Sequence, residues 1–321
     1  MSRVVSFGEI MLRLSAKTEI ARCRSFDVCY GGTEANVLAC LSGLGHETCY
    51  LTALPDNELG DAVKAHLCSF GIDCSQIVTG GSILGTYFVS DGGGSRGANV
   101  IYNRAHSEFT KLDEDAFDYD AVFAGAELFH ISGISFALSE SSRSLAFRLV
   151  REARARGVAV SFDFNYRAKL WSIEEAGRVF REVVPLVDIV LASPLDLSAF
   201  LQTDEEAFLK NYPCALLVLR SRIVESRARH SVGVRAFERI SGKTNAAVCD
   251  RIFFPVREKI GGGDAFDGAF LHRCLQNPSD LKGAVNYAVA AFALKHTIAG
   301  DTLTGTEEDI IAYAKELGVN L

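Results

Sequence analysis

LFHISGISFALSESSRSLAFRLVREARARGVAVSF, residues 128–162, decides the fold class. Leu128 to Ile131 reads as a short buried strand that stops at Ser132-Gly133. Ser139 to Arg156 then shows a helical period that puts Leu145, Leu149 and Ala153 on one inward face, and Val158 to Phe162 is again a compact apolar run. A strand, a crossover helix and a second strand make a parallel pair. The rhythm continues downstream: Ile173 to Val184 predicts a helix, Asp188 to Leu191 a strand, Pro194 to Phe200 and Glu205 to Lys210 helices, and Ala215 to Leu219 a strand. The expectation is an α/β fold, a central, mainly parallel sheet flanked by helices, with ligands outside the carboxyl ends of its strands.

Upstream, Val4 to Phe7 reads as a buried strand ending at Gly8, and no G-x-G-x-x-G follows it, so a dinucleotide fold is not supported. Glu47 to Ala53 and Asp61 to Phe70 add a strand and a helix, and Gly71 to Val78 returns to extended chain. Two stretches break the rhythm. Arg13 to Tyr30 mixes charges, cysteines and aromatics without a helical period and is read as short strands outside the main sheet. Ser82 to Ala105 predicts a β-hairpin with Tyr87, Phe88 and Val89 on one arm, Asn99 to Tyr102 on the other and Gly92 to Gly94 at its tip. Between the early strands, Gly31 and Gly32 make a tight turn, Thr33 can cap, and Ala35, Leu38, Leu41 and Leu44 form a helical stripe. Asn36 lies in the first turn of that helix, where its amide can reach a ligand or, as the sequence alone favours, the local backbone.

The segment Ser221 to Arg239 carries eight Arg, Glu and His residues in irregular order and reads as a solvated excursion. Ser241-Gly242-Lys243-Thr244 imitates the end of a phosphate loop, but Phe237 stands where its first glycine belongs, so the motif fails. The chain finishes with three predicted helices, Gly263 to Leu275, Asp280 to Ile298 and Thr306 to Leu317, the last opened by a capping box of Thr306 and Asp309.

With 321 residues, 48% of them hydrophobic, the chain can bury a sizeable core. Its formal charge of −7 argues against nucleic acid as a partner, so an anionic ligand must meet a local basic site. The nine cysteines are an odd number and form no C-x-x-C pair, which points to small core residues in a reducing compartment. No stretch approaches the ~18 apolar residues of a membrane span, and the start does not read as a signal peptide. These features predict a cytoplasmic protein without a membrane partner.

The chemistry is expected at KIGGGDAFDGAF, residues 259–270. Gly261, Gly262 and Gly263 leave backbone N–H groups free to converge on an anion at the start of a helix. Asp264 follows in the first turn, where a carboxylate can accept a proton from an attacking hydroxyl. An isolated Gly-Asp would be a plain helix cap; three glycines running into an aspartate are less ordinary. The helix N-terminus favours a negative charge by ~0.3 to 1 kcal/mol, so Asp264 is expected to be ionised at neutral pH.

GGTEAN at 31–36 and GGGDAFDGAF at 261–270 together resemble the two signature regions of the ribokinase-like (pfkB) carbohydrate kinases, and the resemblance spans essentially the whole chain. IYNRAHS, LFHISGIS, SFDFNYRAKLW and AFALKHTIAGD resemble the 2-dehydro-3-deoxygluconokinases within that family, SFDFNYRAKLW most specifically. The resemblance implies a single ribokinase-like domain over residues 1–321, with a small discontinuous β lid at about 9–30 and 82–104, and a homodimer or higher homo-oligomer. It implies ATP with Mg²⁺ as phosphoryl donor and 2-dehydro-3-deoxy-D-gluconate, phosphorylated on its terminal (6-) hydroxyl, as acceptor.

Residue by residue, the resemblance makes Asp264 the catalytic base and Gly261, Gly262 and Gly263 the anion hole. Gly32, Asn36, Tyr87, Tyr102, Arg104, Ile134, Arg167 and Asp301 would line the sugar site. Arg104 and Arg167 suit a keto-acid, because each offers a guanidinium fork to a carboxylate. On the nucleotide side stand Ser193, Arg220, Gly261, Gly263 and Asn286, with Asp196 reaching the metal through water.

Three positions depart from the family pattern: Glu258 where an aspartate is usual, Asp267 where a small apolar residue is common, and Ser193-x-x-Asp196 in place of an Asn-x-x-Glu motif linked to magnesium. Arg220-Ser221-Arg222 also replaces the nucleotide loop of many relatives after Leu219. These departures leave two rivals, a fructokinase-like enzyme of the same family and a non-catalytic sugar-acid sensor on the same fold.

Overall fold

The structure, a computed structural model, describes residues 1–90, 99–240 and 242–321. Its first half runs β1 (Arg3–Phe7), β2 (Met11–Ala16), β3 (Asp27–Gly31), α1 (Thr33–Gly43), β4 (Glu47–Leu51), β5 (Ala53–Leu54), α2 (Glu58–Ser69), β6 (Val78–Thr79), β7 (Thr86–Ser90), β8 (Asn99–Asn103) and α3 (Tyr119–Phe123). There follow β9 (Ala126–Ser132), α4 (Glu140–Ala155), β10 (Ala159–Asp163), α5 (Ile173–Val183), β11 (Ile189–Ala192), α6 (Pro194–Asp196) and α7 (Glu205–Asn211). The chain ends with β12 (Leu216–Ser226), β13 (Arg229–Ile240), β14 (Lys243–Pro255), α8 (Gly262–Gln276), α9 (Leu281–Lys295) and α10 (Glu307–Glu316).

Eight strands form the main sheet in the order β14-β13-β12-β11-β10-β9-β1-β4. From β4 to β12 every neighbouring pair is parallel, as the β9-α4-β10 reading requires, and β13 and β14 add an antiparallel edge. Strand alternation sends successive side chains to opposite faces: Phe129 and Ile131 join the core beneath α4 and α5, whereas Leu128 joins the core beneath α1 and α2. Helix α4 begins with a capping box between Ser139 and Ser142, and Ser172 caps α5 through the N–H of Glu175. Helix α9 is buried on nearly every side, because α8 lies against it and α10 covers it. The capping box of Thr306 and Asp309 is present at α10.

The two stretches outside the βαβ rhythm form a sheet of their own, β3-β2-β7-β8, with β2 and β7 parallel. The expected hairpin tip at Gly92 to Gly94 lies outside the described residues, as does Ser241. The Ser221 to Arg239 excursion is corrected: these residues complete β12 and form most of β13 in the main sheet. Val232, Val234 and Ala236 alternate into the core, while Arg229 and Arg235 on the other face point to solvent, so dense charge masked a period of two. Lys243 and Thr244 open β14. Gly32, not Thr33, is the N-cap of α1. All nine cysteines are free, and Cys40, Cys49, Cys74, Cys214 and Cys249 are buried.

Candidate active site

The carboxyl ends of the parallel strands and the inner face of the small sheet enclose a cavity of about 610 Å³. Asp264 projects into it from the first turn of α8 and is only 9% exposed. The Asn36 side-chain amide donates to Asp264 Oδ2 at 2.7 Å, and Asn36 Oδ1 accepts from the Thr302 hydroxyl at 3.3 Å. Asn36 therefore serves the site rather than its local backbone. Burial raises the Asp264 carboxyl to about 7, against the lowering effect of the Asn36 bond and the Arg167 charge, with Asp163 and Glu34 adding to the rise. A helix N-terminus is weaker than desolvation in this enclosure, so near neutral pH the carboxyl divides between its ionised and protonated forms.

The glycine turn is packed too closely for side chains. Gly261 is the N-cap of α8 with φ 82°, and a Cβ there would lie 1.7 Å from the carbonyl oxygen of Asp301. Beside it, Arg220 reaches from β12 and donates through Nη1 to Asp267 Oδ1 at 2.9 Å and to the Gly263 carbonyl at 3.3 Å. Burial and the neighbouring Asp163 hold the Asp267 carboxyl well above the usual range. Asp267, out of place by family pattern, is thus the partner of an arginine equally out of pattern.

The small sheet is clamped to this turn by a polar network. The Tyr87 hydroxyl donates to Asp301 Oδ2 at 2.6 Å, Arg13 pairs with Asp301 Oδ1 at 2.5 Å and with Glu258 Oε2 at 3.3 Å. Glu258 Oε1 accepts from the N–H groups of Lys259 and Ile260, so this second departure caps the approach to the glycines. The two expected carboxylate-binding arginines are unequal. Arg104 is buried and donates through Nε to Glu9 Oε2 at 2.7 Å, so its charge is already balanced. Arg167 is exposed and lines the same cavity, and its guanidinium has no hydrogen-bond or ion-pair partner among the described residues. Asn165, two residues before it, has φ 36° and donates to the Thr33 hydroxyl at 3.1 Å, which fixes the loop that carries Arg167.

The sequence model of pfkB family carbohydrate kinases matches residues 1–304. The chain belongs to the pfkB family of carbohydrate kinases. It is 32% identical over 317 residues to a 2-dehydro-3-deoxygalactonokinase from Haloferax volcanii, covering 96% of this chain and 95% of that one. A solved 2-dehydro-3-deoxygluconokinase from Thermotoga maritima superposes with a TM-score of 0.91 at 35% identity, covering 98% of each chain. A pfkB family carbohydrate kinase from Listeria grayi superposes with a TM-score of 0.90 at 33% identity, over 98% of this chain and 100% of that one. The fold is ribokinase-like, and the protein is a phosphotransferase with an alcohol group as acceptor.

In this pfkB kinase the predicted residues Gly32, Asn36, Tyr87, Tyr102, Arg104, Ile134, Arg167 and Asp301 all border the one cavity with Asp264. Tyr102 stacks on Tyr87 with ring centroids 5.8 Å apart, and Gly32 packs on the Glu9 carbonyl. Ser193 and Asp196 border it too, but as a capping box: the Ser193 N–H donates to Asp196 Oδ2 at 2.7 Å. Asn286 does not. Its amide donates to the Asn320 carbonyl at 2.6 Å, on the side of α9 that faces the chain terminus, so the structure does not bring it together with the residues around Asp264. The sequence reading gave no individual role to Arg13, Glu9, Asp163, Arg222 and Lys259, all at the site or in its network. Arg13 had left a signal, a lone charge in the alternating run MLRL.

Among the described residues no group of three or more His, Cys, Asp or Glu side chains is arranged to hold a metal. That donor set fits Mg²⁺ bound mainly by nucleotide phosphates and water, with a carboxylate such as Asp196 alongside, because Mg²⁺ keeps much of its hydration shell.

Proposed function

We propose that this kinase transfers the γ-phosphoryl group of ATP to the 6-hydroxyl of 2-dehydro-3-deoxy-D-gluconate. One observation carries the reading: Arg167, a guanidinium with no protein partner, borders the same cavity as a buried carboxyl poised at about 7. A sugar acid satisfies both ends, its carboxylate on Arg167 and its far hydroxyl at Asp264, whereas a neutral sugar leaves Arg167 unused.

Asp301 and Tyr87 hold sugar hydroxyls, with Tyr102, Ile134 and Gly32 shaping the wall. The 6-hydroxyl oxygen attacks the γ-phosphorus, the bond to the β–γ bridging oxygen breaks, the hydroxyl proton passes to Asp264, and ADP leaves. The N–H groups of Gly261, Gly262 and Gly263 receive the charge on the transferring group. Asp264 accepts the proton late, when the hydroxyl has become acidic, so a group near 7 suits the task. Arg220 steadies the glycine turn, and Ser193 borders the nucleotide side. Asp196 would hold Mg²⁺ through water, and the ion supplies charge neutralisation on the phosphates.

A coupled ADP-release assay across both C4 epimers of the 2-dehydro-3-deoxy sugar acid, fructose and ribose tests this. The Haloferax relative is named for the galactonate substrate, which places that epimer in the panel. The expected result is turnover on the sugar acids well above the neutral sugars and its loss on chelating Mg²⁺. A preference for fructose overturns the substrate, and calorimetric sugar-acid binding without ADP release points to a sensor.

A further inference from the structure

Lys295, the last residue of α9, is completely buried, yet it lies outside the set of residues that border the cavity. Its ammonium donates to two backbone carbonyls, Ile298 at 3.1 Å and Gly300 at 2.7 Å, and to no carboxylate among the described residues. A buried charge answered only by carbonyls is costly unless its surroundings favour a cation. Here they do. The carbonyls at the carboxyl end of α9 carry negative partial charge. Burial pulls the ammonium below its usual value, while Glu258, Asp301 and Asp264 oppose that pull.

The position of this charge matters because of what it touches. Lys295 Cε lies 3.1 Å from where a Gly261 Cβ would be, and the Asp301 carbonyl presses on the same point from the turn that the ammonium holds. Gly261 in turn starts the helix that carries Asp264. With Arg13 shared between Asp301 and Glu258, Lys295 is the second cation set against those two carboxylates.

We propose that Lys295 is a positioning residue for phosphoryl transfer, a monovalent cation built into the chain that pins the 298–301 turn against Gly261 and so fixes the glycine N–H groups and Asp264. The inference rests on the kinase reading above. It makes turnover independent of added monovalent cations, because the place between the two carbonyls is filled by the ammonium itself. A small monovalent cation occupies that place only when the side chain is removed.

The test compares wild type with Lys295→Met and Lys295→Ala, each in chloride salts of potassium, ammonium and tetramethylammonium at equal ionic strength. Lys295→Met, which fills the volume without charge, is expected to lower kcat roughly 10- to 100-fold with the KM for the sugar acid changed less than about 2-fold. Ammonium or potassium restores about 10-fold of the loss in Lys295→Ala but not in Lys295→Met, and tetramethylammonium restores neither. A purely structural lysine would show no such ion-selective rescue. Retention of more than about half of kcat in Lys295→Met overturns the proposal. So does a several-fold stimulation of wild type by potassium over tetramethylammonium, a measurement that decides the matter even where the variants do not fold. Wild type that releases no ADP on any sugar or sugar acid defeats the kinase reading separately. Pinning of the turn is then read from binding of a non-hydrolysable ATP analogue, which Lys295→Met weakens about 10-fold if the turn is held as described and leaves unchanged if it is not.

Discussion

Asp264 answers two opposing demands. As a base it must lose its proton, and as a buried group it resists doing so, which leaves it at about 7. The ionised form is the active one, so kcat/KM is expected to rise with pH through about 7 and level off above, read from initial rates between pH 5.5 and 9. Asp264→Asn should lower kcat by roughly 10² to 10⁴ while sugar-acid binding persists; retained turnover refutes the role. Stability moves the other way. The folded-state value lies above the ordinary 3.8, so between those two values the folded protein holds a proton that the unfolded chain has lost, and stability falls as pH rises across that window. Asp264→Asn removes part of that cost and should raise Tm at pH 8 by about 1–2 °C, the equivalent of roughly 1 kcal/mol, with little gain at pH 4. Arg167→Met should raise the KM for the sugar acid roughly 10- to 100-fold and spare any residual turnover of a neutral sugar; equal losses on both would rule out a carboxylate contact.

Strand β2 shows how an element outside the main sheet can still matter to the site. Its alternation turns Met11 and Arg13 inward, and Arg13 meets Asp301 and Glu258 there, joining the small sheet to the turns of the main one. Arg13→Met strands two carboxylates, one of them almost wholly buried, and is expected to cost about 3–5 kcal/mol in denaturant unfolding. Combining it with Asp301→Asn should return part of that loss, and strictly additive losses would show that the pair does not couple. Strand β13 teaches the complementary lesson. Its period of two was present in Val232, Val234 and Ala236, but arginines on the solvent face and a histidine turned inward at His230 broke the visible pattern. In α8 and α9 the helical stripe is faint because burial on nearly all sides removes the polar face that makes a stripe legible.

Across the whole molecule, a chain of net charge −7 gathers Arg167, Arg222 and Lys259 at one cavity, and none of their side chains has a hydrogen-bond or ion-pair partner among the described residues. Such a local field draws in anions that the rest of the surface repels. Raising salt from about 20 to 200 mM should therefore lower kcat/KM for the sugar acid about 3- to 10-fold, and a salt-insensitive rate would remove steering from the account. The sequence by itself determined the α/β class, the parallel run of strands from β9 to β12 and the glycine turn with its aspartate, because each is written in a local period or a contiguous motif. Only the tertiary structure decided the protonation of Asp264, the neutralisation of Arg104 and the freedom of Arg167. Those depend on burial and on partners far along the chain: Asn36 stands 228 residues from Asp264, and Glu9 stands 95 from Arg104. No local pattern carries contacts at that range, and in an enclosed site they set the charge of every group that does chemistry.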